Sequence, residues 1–429
     1  MRKLAVCVAL IGVVFSGCGG MTSSDTTPPA SRPTGQEVGD PVISAAVQGG
    51  APLAAWGTVS WVHLAAAPYN GVAVAPYSTR SFPQIFASQD ARIIGDPSSE
   101  VFSSQLDCLF EDGKFFWTDI NYGFSINSLS VSGDGQSVYT GGYDVSHPTP
   151  PPAAIVRYAA DRSSRVIING GSDECSFQTA ARFNGHELFL KNCGGYPQLS
   201  YGIPAVWTFE TYGASFYMTR ATFDPQGNVI VAGINRGVYT INGWTFGAAG
   251  RTSVLVLKFT AQGSLLWAHE MGPAGGNAYP ADMAISATGT VVVAGTFSGF
   301  AHWAGGSYDS AVSSSFLFTL ESTGKSRWFR QPTQFEAGTL RLALDPSGRA
   351  FVAGRASDCG KGIHVDEINL AGDNLGAKGI ACSANLDLKS AAALGHDLLL
   401  AGGNTGAVDF GNGTTTSTNG GFLLRMIAL

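Results

Sequence analysis

The sequence predicts an all-β fold made of a repeated four-stranded antiparallel unit, on three observations. One phrase recurs, as FDPQGNVIVAG at residues 223–233, ISATGTVVVAG at 285–295 and LDPSGRAFVAG at 344–354. The first two copies are followed by a second pair of apolar stretches around a turn, VLVLKFTAQGSLLWAHE (254–270) and FLFTLESTGKSRWFR (316–330). The spacing is nearly constant: 62 residues from Gly233 to Gly295 and 59 from Gly295 to Gly354.

Each phrase is an apolar stretch, a turn carrying Gly227, Gly289 or Gly348, and a second apolar stretch ending in Ala-Gly. That is a hairpin, and the following pair makes a second one. TVVVAG (290–295) is apolar almost without interruption, whereas a strand with one wet face alternates, so both faces of the sheet must be covered. Stacked four-stranded units achieve this, and such a unit is a propeller blade. A β-sandwich would use similar strands but has no reason for the period.

Weaker copies lie on both sides. SINSLSVSGDGQSVYTGG (125–142) with AIVRYAADRSSRVIING (154–170) is one, and FQTAARFNGHELFLKN (177–192) with AVWTFETYGASFYM (205–218) is another. AAALGHDLLLAGG (391–403) and GGFLLRMIAL (420–429) form a last unit that is one strand short. A strand from residues 42–56 is expected to complete it and close the ring, with VISAAV (42–47) the best candidate. A further blade is expected over 59–95, giving a single propeller of seven blades, with six or eight also compatible. The half-unit LDCLFEDGKFFWTD (106–119) fits none of these blades.

These units resemble the bacterial β-propeller repeats of the SBBP type, which run Asp-Pro-x-Gly-Asn, apolar strand, Ala-Gly, a loop with Phe-Gly, apolar strand, Gly and Trp. The matching residues are Asp224, Pro225, Gly227, Asn228, Gly233, Phe246, Gly247, Lys258, Gly263 and Trp267, then Gly289, Gly295, Gly305, Gly324 and Trp328. In the third copy Asp345, Pro346 and Gly354 persist, while Gly376 falls where the Trp would be. The resemblance implies a propeller fold and an extracytoplasmic setting, and no particular activity.

The N-terminus suits that setting. Arg2 and Lys3 precede a twelve-residue apolar run (4–15) and then small residues, a secretory signal too short to span a bilayer as a helix. Its end, Phe15-Ser16-Gly17-Cys18, resembles the lipobox of bacterial lipoproteins, with Phe where Leu is usual. The resemblance implies that Cys18 carries lipid. The expected organisation is a lipoprotein signal over 1–18, a Ser/Thr/Pro/Gly tether over 19–41 and the propeller over 42–429. The expected address is the cell envelope, with the outer membrane preferred.

Without Arg2 and Lys3 the chain keeps 23 Lys and Arg against 31 Asp and Glu, a net charge of −8. An acidic surface argues against nucleic acid and anionic lipid as partners. Of the seven cysteines, Cys7 leaves with the signal. Cys175 and Cys193 bracket the first two strands of one blade, and Cys359 and Cys382 follow the second and fourth strands of another. Two disulfides are therefore expected, each worth on the order of 3 kcal/mol in an exported protein. Cys108 is left over, expected buried and inert.

Motifs that suggest chemistry dissolve on inspection. Asp224-Pro225 and Asp345-Pro346 suit type I turns better than a metal. Gly324-Lys325-Ser326 has Thr319 where a phosphate-binding loop needs Gly, and His186-Glu187 has Leu190 where a zinc motif needs its second His. The nonapeptide-like GGNTGAVDF (402–410) is off register for calcium. The seven histidines show no metal-ligand spacing, so no catalytic residue, metal or cofactor is assigned. Trp244, Trp303 and Phe410 sit between second and third strands, where they either plug gaps between blades or form a stacking platform for glycans.

The function these readings favour is a lipid-anchored binding or scaffold module for an envelope protein or polysaccharide. A hydrolase or lyase at the axial funnel is the alternative, and a structural part of a larger complex a third. Carboxylates and a His converging on one mouth of the axis would favour the enzyme.

Overall fold

The computed structural model describes residues 59–427 apart from 66, 76–83, 95–99, 123, 133–134, 145–152, 161, 170–174, 194–195, 203–204, 212–214, 274, 304–305, 358–359, 414 and 417–418. The described residues form seven four-stranded antiparallel sheets. From innermost to outermost strand, blade 1 is Tyr69–Ala75, Gln84–Ile94, Glu100–Phe110 and Phe115–Tyr122; blade 2 is Phe124–Val131, Ser137–Asp144, Ala153–Ala159 and Arg165–Asn169. Blade 3 is Cys175–Phe183, His186–Cys193, Tyr196–Tyr201 and Trp207–Glu210; blade 4 is Phe216–Phe223, Val229–Arg236, Thr252–Phe259 and Leu265–Met271. Blade 5 is Ala278–Ile285, Val291–Trp303, Gly306–Leu320 and Ser326–Arg330; blade 6 is Arg341–Leu344, Ala350–Arg355, Ile363–Ile368 and Asn374–Ile380. Blade 7 is Asn385–Leu394, Asp397–Thr405, Gly420–Met426 and, from the other end of the chain, Val59–Ala65. Each innermost strand touches that of the next blade, through blade 7 and back to blade 1, so the ring is closed.

Ring closure from the N-terminal side is as expected, but by a different segment. The strand that pairs with Gly420–Met426 is Val59–Ala65, with Val62 opposite Leu424 and Ala65 opposite Gly421; residues 42–56 lie outside the described residues. Apolar content misled the expectation, because an outermost strand is half wet: in Val59–Ala65 only Val59 is buried, Ser60 and Leu64 are exposed and the rest lie between, whereas VISAAV is more apolar than this place needs. Blade 1 consequently begins at Tyr69 and absorbs the half-unit 106–119 as its third and fourth strands. In blade 3 the third strand is Tyr196–Tyr201, and residues 216–218 belong to blade 4.

The continuous apolar strands do cover two faces. The buried side chains fall into seven clusters, one for each junction between neighbouring blades. In blade 5, Val291 and Val293 pack toward blade 4, and Val292 and Ala294 toward blade 6. Each such valine contributes about 1.5–3 kcal/mol by leaving water.

The Ala-Gly that closes each phrase has a separate cause. In six blades the pairing of the innermost with the second strand slips by one residue at the same level, as between Met218 and Arg220 and between Pro280 and Asp282. A β-bulge pushes the innermost backbone toward its partner. A Cβ on Gly233 would collide with the Tyr217 carbonyl, and one on Gly295 with that of Tyr279. In these two copies the glycine is the seat of the bulge; blade 6 pairs without one, and there Gly354 instead leaves room for the side chains of Phe335, Leu340 and Thr339.

Candidate functional site

The strand order divides the ring into two faces. Turns between first and second and between third and fourth strands lie on one, and the long second-to-third loops and the crossovers between blades lie on the other.

The turn face is occupied by contacts that lock blade to blade. Asp224 is buried in its turn, accepting from Gln226 N (2.9 Å) and Asn228 N (2.8 Å) at Oδ1 and from Asn228 Nδ2 (2.9 Å) at Oδ2. Turn chemistry therefore accounts for this residue, and Ser286 fills the same role in ISATG by accepting from Thr290 N at 3.0 Å. Lys258 Nζ reaches Asp224 Oδ2 at 2.7 Å and also donates to Ser322 O of blade 5 at 3.1 Å. The outer-strand tryptophans reach across in the same way. Trp207 Nε1 donates to Ala261 O, Trp267 to Ser322 O, Trp328 to Leu370 O and Trp61 to Glu111 O, at 2.9 to 3.0 Å. Each indole lies on the positive-φ glycine of the turn it reaches, as Trp267 does on Gly324. At the closure seam Arg425 takes the place of Lys258, bonding Asp397 Oδ2 (2.7 Å) and Glu111 O (3.1 Å). This arrangement explains the missing Trp at Gly376. Blade 7 joins its third and fourth strands through no turn, so a Trp from blade 6 would have no carbonyl to reach.

At the axis, Arg220 of blade 4, Asp282 of blade 5 and Arg341 of blade 6 occupy the level just past the bulges. Arg220 donates from Nη1 to Thr219 O and from Nη2 to Ala281 O, both at 2.9 Å. Arg341 donates from Nη1 to Leu340 O (2.8 Å) and from Nε to Lys389 O (2.6 Å). Asp282 accepts from Arg220 Nε (3.3 Å) and Leu342 N (3.0 Å). Burial lowers the pKa of Arg341 while Asp282 opposes that shift. These charges hold the bulge carbonyls of neighbouring blades together, which is a structural task.

The loop face is different. Blade 4 carries a small hairpin, Tyr239–Ile241 with Trp244–Phe246, and blade 5 extends its second and third strands into a long arm ending at Trp303 and Gly306. Trp244 is 50% exposed and Val312, on the arm, 72% exposed; Val238 of blade 4 and Tyr279 and Phe300 of blade 5 are exposed as well. A polar cleft of about 270 Å³ opens there, with Arg251, Ser253 and Glu270 in its lining. Glu270 accepts from Gly247 N at 2.8 Å and from Ser253 Oγ. Of the three aromatics considered as a platform, Trp303 and Phe410 are buried, Trp303 against Phe318 (4.6 Å) and Phe410 against Phe422 (5.6 Å). They plug gaps, and Trp244 alone of the three faces solvent.

Cys18 and Cys359 lie outside the described residues. Cys175 and Cys193 stand directly opposite on the first two strands of blade 3, a pairing that puts Cα atoms about 4.5–5.5 Å apart, within disulfide range. Cys382 follows the outer strand of blade 6, its carbonyl against Gly360, the neighbour of Cys359. Mass spectrometry of unreduced peptides from exported protein is expected to find 175 linked to 193 and 359 to 382; free thiols at either pair would remove that bridge. Cys108 is fully buried at the junction of blades 1 and 2, as expected.

No protein-family model matches the chain, and no curated protein matches it. Solved structures do. A chain of the mitotic checkpoint complex superposes with a TM-score of 0.52 at 10% identity, over 89% of this chain and 97% of that one. Sqt1 from Chaetomium thermophilum gives 0.49 at 10% identity, over 87% and 99%, and YCF48 bound to D1 peptide gives 0.47 at 11%, over 86% and 97%. At 10% identity the first of these likenesses shows the fold alone, and with the seven sheets closed in a ring this chain is a seven-bladed β-propeller.

Proposed function

We propose that the chain is a lipid-anchored binding module of the cell envelope, of the SBBP-type propeller lipoproteins, which presents its loop face to a partner. The observation that carries this is the division of labour between the faces. The turn face and axis use their polar groups to hold blades together, with single exposed apolar residues such as Val206, Phe115 and Leu266, whereas the loop face carries long irregular insertions on blades 4 and 5 with Trp244 and Val312 exposed on them. A rigid ring with variable loops is a platform for recognition. Of the two partner classes open from sequence, protein is favoured by Val238 and Val312, because aliphatic area of this kind is buried against another apolar surface rather than stacked on a sugar. Exposed Trp and Tyr with a nearby Arg are the residue types that anchor such contacts. The chain of the checkpoint complex, a protein assembly, shows the fold in that use. The axial arginines, bound to backbone carbonyls, give the enzyme alternative no support.

The test is photo-crosslinking in the native envelope. A crosslinker at position 244, on the loop face, is expected to capture an envelope protein that one at Gln262, on the turn face, does not. Capture from both positions or from neither, or of polysaccharide alone, would overturn the protein reading. Cys18→Ser is expected to release the protein from the membrane fraction, and unchanged membrane association would refute the anchor.

A further inference from the structure

A second cleft, about 460 Å³, lies between blades 5 and 6, roofed on the loop face by residues 331–334, the crossover that connects them. Its size is that of a small-molecule site, commonly about 300–1,000 Å³. Two charged side chains of opposite sign line it. Asp366, on the third strand of blade 6, is 2% exposed and its Oδ1 lies 3.0 Å from His364 Nε2, while Oδ2 accepts from Gln334 Nε2. Arg330, at the end of the outer strand of blade 5, is half-buried and makes no side-chain hydrogen bond or ion pair among the described residues. The two do not pair with each other although both line one cavity.

The residue is half-buried but its guanidinium nitrogens are reached by water, so the group is free to exchange that water for a ligand. Its planar fork matches a carboxylate. The buried Asp366 supplies the complementary acceptor for an ammonium group. Between them the lining is apolar, with Leu317, Phe329 and Ile368.

We propose that this cavity binds a free amino acid with an apolar side chain, its carboxylate on Arg330 and its ammonium on Asp366. Asp366 keeps its bonds to His364 and Gln334, and its oxygens retain lone pairs for an ammonium; only a zwitterion engages both this carboxylate and the unpartnered Arg330. The cleft opens beside the blade 5 arm but shares none of the exposed apolar residues named above, so either proposal stands if the other falls.

The test is isothermal titration of the full mature chain with leucine, phenylalanine and methionine, followed by their methyl esters and N-acetyl derivatives. Millimolar or tighter binding is expected for at least one free amino acid, weakened at least tenfold when either end is blocked. Arg330→Gln is expected to weaken binding at least tenfold with an unchanged melting temperature, since the guanidinium makes no hydrogen bond or ion pair among the described residues. Asp366→Asn keeps the size but turns one acceptor into a donor toward Gln334 or His364, and is expected to weaken binding likewise while lowering the melting temperature. No binding by any of the three, or binding indifferent to Arg330→Gln or to blocking, would overturn the proposal.

Discussion

A chain beginning at Val59 is expected to melt at the temperature of the mature protein, whereas one beginning at Ala67 is expected to lose more than about 4–5 kcal/mol, beyond the range of ordinary substitutions. The first deletion removes only residues that contribute no strand to the described ring. The second removes the outer strand of blade 7, exposing the edge of Gly420–Met426 and its backbone groups. It also removes Trp61, whose indole ties blade 7 to Glu111 of blade 1, and Val59, buried in the junction of blades 6 and 7. Supplying a synthetic peptide spanning residues 57–67 should restore part of the lost stability by adding the strand back. Equal melting temperatures for the two truncations would show that closure does not depend on this strand.

What the sequence made legible follows from which constraints are local. The hairpins, the Asp and Ser turn residues and the two-sided strands each depend on neighbours in the chain, so phrases such as FDPQGNVIVAG carried them. The four-strand period gave the blade, and the period with the missing last strand gave a ring closed from the N-terminal side. The choice of closing strand failed because an outer strand needs only partial burial, which apolar content does not detect. A usable signal was present, since Trp61 stands before its strand's Val62 in the role that Trp267 and Trp328 play in the repeats. Gly233 was legible as part of the motif, but the bulge that demands it was not, because its cause lies on the paired strand. Arg330 and Asp366 were invisible as a site: they belong to different blades, and only the fold places them around one cavity. The exposed apolar residues Val238, Trp244, Tyr279, Phe300 and Val312 likewise come from two blades.

Lys258→Ala is expected to destabilise the ring by about 3–5 kcal/mol, the usual cost of leaving one member of a buried ion pair without its partner. Asp224 and Lys258 are 1% and 5% exposed, so the carboxylate left behind is screened by little water. The loss also removes a bond to blade 5 at Ser322 O. Lys258→Met, which keeps the stem, should still lose most of that stability, showing that the charge and not the packing carries it; wild-type stability in this variant would refute the argument. The same turns predict a pH dependence. Burial alone would raise the Asp345 pKa, but hydrogen bonds from His396, Ser347 and Arg349 outweigh it and hold the value at about 2. Asp224 is likewise held below its ordinary value, burial being overcome by Lys258 and Asn228. A carboxyl whose folded pKa is depressed stabilises the fold above its unfolded pKa, near 3.9, and that stabilisation is lost as pH falls through the folded value. Asp345 should therefore supply about 2 kcal/mol that is fully present above roughly pH 5 and disappears toward pH 2. In urea melts across that window, Asp345→Asn is expected to be less stable than wild type at pH 7 and to show a flatter decline toward pH 2. An unchanged slope would mean that the acid sensitivity of the ring arises from other carboxylates.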